Sequence, residues 1–202
     1  MPEIPEFFLF RQYSKAVKEW FIKHCFLSRY PEDSNVLVVY ATPERAFMKY
    51  MYPALNGKQV RPLISFHLSG YEYLTNENNL GFVKEYKYNE NNNITKIIPA
   101  PYVYRLNYAV NIYTLLMSDA DILMYQILTQ ATHNKAFAEI IDGQWAEFEA
   151  INPRDDTNLE PGDMQDRVIR YGLDFIVRRA YLPRPIDEVQ GIKAFDISTE
   201  VG

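Results

Sequence analysis

Hydrophobic and polar residues alternate most regularly between Tyr102 and Ile112. Even positions there are Tyr102, Tyr104, Leu106, Tyr108, Val110 and Ile112; odd positions include Arg105, Asn107 and Asn111. Strand side chains point to opposite faces in turn, so this stretch predicts a half-buried strand. The period then changes. Ala120, Leu123, Met124, Ile127, Leu128 and Ala131 fall at helical spacing. Ser118 with Asp121 three residues on is a capping-box pattern, and Asp119 and Asp121 suit the positive end of a helix.

Residues 1–30 contain an N-terminal helix over Phe8 to Leu27, with Phe10, Tyr13, Val17, Trp20, Phe21 and His24 on one face. Asn35 to Ala41 reads as a short apolar strand. Thr42-Pro43-Glu44 opens a helix with Thr as N-cap, and Asn56-Gly57 ends it. In the next strand Ile64, Phe66 and Leu68 share a face, with His67 opposite. Residues 74–93 form a polar hairpin or loop in which "FVKEYKY" is a candidate outer strand. "GQWAEFEAI" is a strand with Trp145 and Glu147 on one face and Ala146 and Phe148 on the other. Residues 152–163 read as an acidic loop. In the last strand Ile169, Tyr171, Leu173, Phe175 and Val177 alternate with Arg170, Asp174 and Arg178. Residues 184–202 are a proline-broken C-terminal arm. The expectation is one α+β domain over 1–202, with a mixed or antiparallel sheet of six to seven strands covered on one face by about three helices.

A hydrophobic content of 48% in 202 residues suffices for a sizeable core. The formal charge of -5 disfavours non-specific nucleic-acid binding. Cys25, the single cysteine, sits in an apolar helical run and reads as a buried thiol. The short apolar run at the start is neither a signal peptide nor a membrane span. The 16 tyrosines suit either an aromatic core with hydroxyls at its edge or a protein interface.

No catalytic, cofactor-binding or metal-binding motif emerges. The 8 glycines include no G-x-G, phosphate loop or G-x-S-x-G elbow. His24, His67 and His133 lack metal-ligand spacing. The acidic pairs Asp119/Asp121, Asp155/Asp156 and Asp187/Glu188 would serve acid–base chemistry only in a concave site. The arginines Arg167, Arg170, Arg178, Arg179 and Arg184 suit either a solvated strand face or an ionic subunit interface. Candidate interface residues are Arg170 and Arg178 on one side and acids such as Glu147 and Glu149 on the other, with Asp155 and Asp156 as further candidates. Such pairs form either between protomers or within one.

The order of segments carries a resemblance. "VVYATPERAFMKY", "RPLISFHLSGYEY", a polar hairpin, "PAPYVYRLNYAVNIYTLLMSDADILMYQIL" and "IVRRAYLPRPIDEVQGI" follow one another. Over residues 36–192 this resembles the tail completion and sheath-stabiliser (tail terminator) proteins of contractile-tailed bacteriophages. The shared features are a strand ending in Ile-Tyr-Thr, an acidic helix start with Gln-Ile, and a last strand closing at Tyr181, Pro183 and Pro185. The resemblance implies a non-enzymatic virion protein, made in the host cytoplasm and placed at the head-proximal end of the tail. It implies a homohexameric ring with tail tube, tail sheath and neck or head-completion proteins as partners. DNA would pass through the ring without specific binding, and no membrane or cofactor is involved. The competing readings are a head-side neck or adaptor ring and a small acid–base enzyme.

Overall fold

The computed structural model describes residues 6–30, 35–52, 61–75, 82–85, 96–99, 102–131, 137–141, 144–157 and 168–182. Helix α1 (Glu6–His24) is followed by β1 (Leu37–Tyr40) and α2 (Pro43–Ala46), which continues as a wider i→i+5 turn over Phe47–Met51. Then come β2 (Leu63–Tyr73), β3 (Phe82–Glu85), β4 (Lys96–Pro99), β5 (Tyr102–Thr114), α3 (Met117–Ala131), β6 (Phe137–Ile141), β7 (Gln144–Asp155) and β8 (Ile169–Leu182). Six strands form one sheet in the order β1-β2-β5-β8-β7-β6, and β3 with β4 forms a separate ribbon. β1 runs parallel to β2, whereas the other pairs are antiparallel. The α+β class and the mixed sheet agree with the sequence reading. The strand count does not: the described residues hold eight strands. Residues 82–85 pair with 96–99 in their own ribbon and are not an outer strand of the main sheet.

The principal core lies between the sheet and the layer of α1 and α3. From α1 it takes Tyr13, Val17, Trp20 and Phe21; from α3 it takes Leu123, Met124 and Ile127. The strands supply Ile64, Phe66, Leu106, Tyr108, Val110, Ile112, Phe148, Leu173, Phe175 and Val177. Trp20 meets Phe175 at 4.9 Å between ring centroids, and Phe21 meets Phe175 at 5.0 Å. Cys25 is buried here, and burial pushes its thiol up to about 12.

The expectation that helices cover a single face needs correcting. Ala46 and Met51 of the α2 segment pack on Leu63 and Tyr113, which point away from the principal core. A second, smaller core therefore covers the opposite face at one end of β1, β2 and β5. Asn111, an odd-numbered residue of β5, is buried as well.

Three register shifts interrupt the sheet, one of them between β2 and β5 at Leu68 and Gly70. Tyr104 pairs with Ala180 but Leu106 pairs with Val177, so Arg178 and Arg179 together oppose Arg105. Even-position burial therefore begins at Leu106; before it, Val103 is buried while Tyr102 and Tyr104 are half-buried. In β7, Ile151 pairs with Asp174 and Arg154 with Gly172, leaving Asn152 and Pro153 opposite Leu173. Asn152 takes φ 53°, a left-handed conformation that Asn tolerates better than most residues. Residues 152–155 thus continue the strand where an acidic loop was expected. Of that segment, 158–163 lie outside the described residues, as does the arm 184–202.

Neither predicted helix cap forms. α3 begins at Met117, so Ser118 and Asp121 lie inside its first turns. Buried Asp119 instead pairs with Arg29 and accepts a 3.0 Å bond from the Tyr30 hydroxyl. Asp121 accepts from the Tyr171 hydroxyl at 2.9 Å. Burial, then this hydrogen bond to the carboxylate, raises the Tyr171 pKa. Thr42 makes no side-chain cap bond, although Pro43 does occupy the first turn.

Candidate subunit interface

The strand register lays out the sheet face opposite α1 and α3 as a grid. One row crosses it as Glu72 on β2, Arg105 on β5, and Arg178 and Arg179 in the β8 bulge. Arg105 Nη1 donates to Glu72 Oε2 at 3.0 Å. Arg178 donates to both oxygens of Glu149, at 2.7 Å from Nε and 2.8 Å from Nη2. This two-point contact matches the planar guanidinium to the carboxylate and raises the Arg178 pKa further. A depression of about 440 Å³ opens here. Leu74, Ile151 and Ile176 give it apolar surface; Arg105, Arg178, Arg179, Glu147 and Glu149 give it charge of both signs.

A second polar group lies along the same face. Arg154 bridges Asp156 at 3.2 Å and Asp174 at 3.3 Å, and Asn152 donates to Asp174 at 2.9 Å. Gly172 makes room for it: a Cβ there would stand 2.8 Å from Arg154 Nε and collide with Asp156. Asp155 accepts from the Thr157 backbone N–H at 2.9 Å, and bonds from Thr157 hold its carboxyl below the usual range. At the row's inner end Arg170 donates to buried Asn111 Oδ1 at 2.9 and 3.2 Å and stands 5.8 Å from the Tyr113 ring centroid. Tyr113 donates to the Pro43 carbonyl at 3.1 Å. Burial raises its pKa, partly offset by Arg170.

The candidate residues are therefore divided. Arg178 and Glu149 meet within one chain, the second of the two arrangements that the sequence left open. Arg170 turns inward to Asn111, and Asp156 pairs with Arg154. Glu147 stays at the rim beside Arg178. Sequence reasoning missed Glu72, Arg105, Asn111 and Arg154. Alternation put Arg105 and Asn111 on this face, but only strand order reveals their partners.

The helix layer presents a different surface. Ile22, Phe26, Ile122 and Tyr125 are exposed, Tyr125 at 69%. Gln126 of α3 holds the segment just after α1 there, accepting from the Phe26 N–H at 3.0 Å and donating to its carbonyl at 2.9 Å. Arg11, Lys15 and Lys18, all exposed, precede Ile22 along the outer side of α1.

No protein-family model matches the chain, and no curated protein matches it significantly. Among the described residues, no cluster of three or more His, Cys, Asp or Glu side chains could hold a metal ion. No helix among them is long and apolar enough to cross a membrane.

Proposed function

We propose that this protein is a structural virion component, a tail terminator. In this reading it forms a homohexameric ring at the head-proximal end of a contractile tail. The ring ends tube and sheath polymerisation and joins the tail to the neck.

One observation carries the ring: two dissimilar surfaces lie on opposite sides of the protomer. The sheet face bears a depression with charges of both signs, and the helix layer bears Ile22, Phe26, Ile122 and Tyr125. A closed ring needs a heterologous interface, in which one patch of a protomer meets a different patch of the next. The tail, sheath and neck contacts are supported by the order of motifs from "VVYATPERAFMKY" to "IVRRAYLPRP".

Deleting the chain from its phage tests the reading. Infected cells should then accumulate unjoined heads and tails, with unstable sheaths or tubes of irregular length. Stable free tails with heads that leak DNA would favour a head-side adaptor ring instead. Normal virions would exclude both.

A further inference from the structure

Two exposed aromatic rings stand on the helix layer in fixed positions. Tyr125 rides on α3 and is 69% exposed; Phe26, just after α1, is 56% exposed. Gln126 takes both backbone groups of Phe26, and Asn35 Oδ1 accepts from the next N–H, that of Leu27, at 2.9 Å. The main chain beneath the Phe26 ring is therefore held while the ring meets solvent. Groups already placed in this way lose little further freedom when a partner binds.

The opposite face of the sheet offers the chemistry that such rings take. Arg105 and Arg178 lie on the neighbouring strands β5 and β8, and both side chains are about half exposed. Arg105 is bound by Glu72, and Arg178 by both oxygens of Glu149. These bonds use the edge of each guanidinium, whereas its flat face is the part that stacks on an aromatic ring. Leu74, Ile151 and Ile176 add apolar surface around the two arginines.

The remaining charges agree. Lys15 on the outer side of α1 is engaged by Glu19 at 3.7 Å, but Lys18, one turn before Ile22, pairs with no acid among the described residues. At the rim of the depression Glu147 likewise makes no hydrogen bond or ion pair with a described residue, since Arg178 gives its fork to Glu149.

The two surfaces cannot meet within one chain. Phe26 and Tyr125 lie on the outer side of the helix layer, and Arg105 and Arg178 lie on the sheet face turned away from it. The principal core and the six-stranded sheet stand between them. We infer that Phe26 and Tyr125 of one copy stack on the Arg105 and Arg178 guanidinium groups of a second copy, with Lys18 against Glu147. Every copy gives one surface and receives the other, so the contact is heterologous. It rests on the ring reading and names the groups that close the ring.

Cross-linking between two full-length variants tests it. One carries Tyr125→Cys and the other Arg178→Cys; the native Cys25 is buried, away from the reagent. A short bismaleimide should link the two variants when they are mixed, and should link neither variant to itself. Phe26→Leu combined with Tyr125→Leu keeps the patch apolar and removes the rings. With circular dichroism unchanged, this variant should associate roughly five- to thirtyfold more weakly by sedimentation, whereas Tyr125→Phe should associate as the native chain does. Unchanged association of the double leucine variant overturns the stacking. Links within Tyr125→Cys alone mean that the helix patch meets itself, which also overturns it. A ring that forms without links between the mixed variants leaves the helix patch to another protein; that overturns the inference and leaves the ring reading standing. A chain that stays monomeric under infection conditions removes both.

Discussion

Arg178 and Glu149 form a two-point ion pair between neighbouring strands, with N–O distances of 2.7 and 2.8 Å. The pair joins β8 to β7 inside one protomer on a face that no helix of the principal core covers. Its side chains are 50% and 27% exposed, so solvent screens much of the attraction. Arg178→Ala should therefore cost no more than about 1 kcal/mol in urea unfolding. Arg178→Lys keeps the charge but loses the fork. It should give an intermediate value, and a double-mutant cycle with Glu149→Gln isolates the coupling.

Leu106 and Asn107 are neighbours on opposite faces of β5. Leu106 is fully buried beneath α1 and α3, whereas Asn107 is half-buried on the other face. Leu106→Asp puts an unpaired carboxylate in the core and should cost about 3 kcal/mol or more, enough to prevent folding. Asn107→Asp should fold. Circular dichroism of the two variants checks the register, and equal behaviour would contradict it.

Asn111 depends on Arg170 for its buried carbonyl oxygen. Arg170→Ala removes both donors and should destabilise the protein by about 1–3 kcal/mol, seen as a lower urea midpoint. Asn111→Leu removes the acceptor instead, leaving a partly exposed guanidinium that water can reach. The smaller loss is expected for that variant, provided the site accommodates the leucine.

Cys25 supplies a pH test. Burial pushes its thiol from 9.0 up to about 12, so the folded chain holds this proton more tightly than the unfolded chain. Its contribution is intact below the unfolded pKa and is lost as pH rises from 9.0 towards about 12. The slope for one group is at most about 1.4 kcal/mol per pH unit. Burial also raises the Tyr108 pKa, which acts in the same direction. Cys25→Ala should flatten the alkaline fall in unfolding free energy without abolishing it. The native thiol should also resist alkylating reagents near neutral pH until the chain unfolds.

The sequence determined what each element does locally. Alternation put Leu106, Tyr108, Val110 and Ile112 on one side of β5, and Leu173, Phe175 and Val177 on one side of β8, because strand side chains repeat every two residues. Helical spacing placed Tyr13, Val17, Trp20 and Phe21 on the inner side of α1 for the corresponding reason. Hydrogen-bond partners were not legible, because they depend on which strands become neighbours. Arg178 finds Glu149 only because β8 lies beside β7, and Arg170 finds Asn111 only because β8 also lies beside β5. Asn152 and Pro153 read as a loop since both disfavour regular strands, yet a bulge absorbs them and the pairing resumes at Arg154. Ser118 and Asp121 fitted a helix cap by spacing. Tertiary contacts decided otherwise, since the helix starts at Met117 and Asp121 is engaged by Tyr171 from the neighbouring sheet.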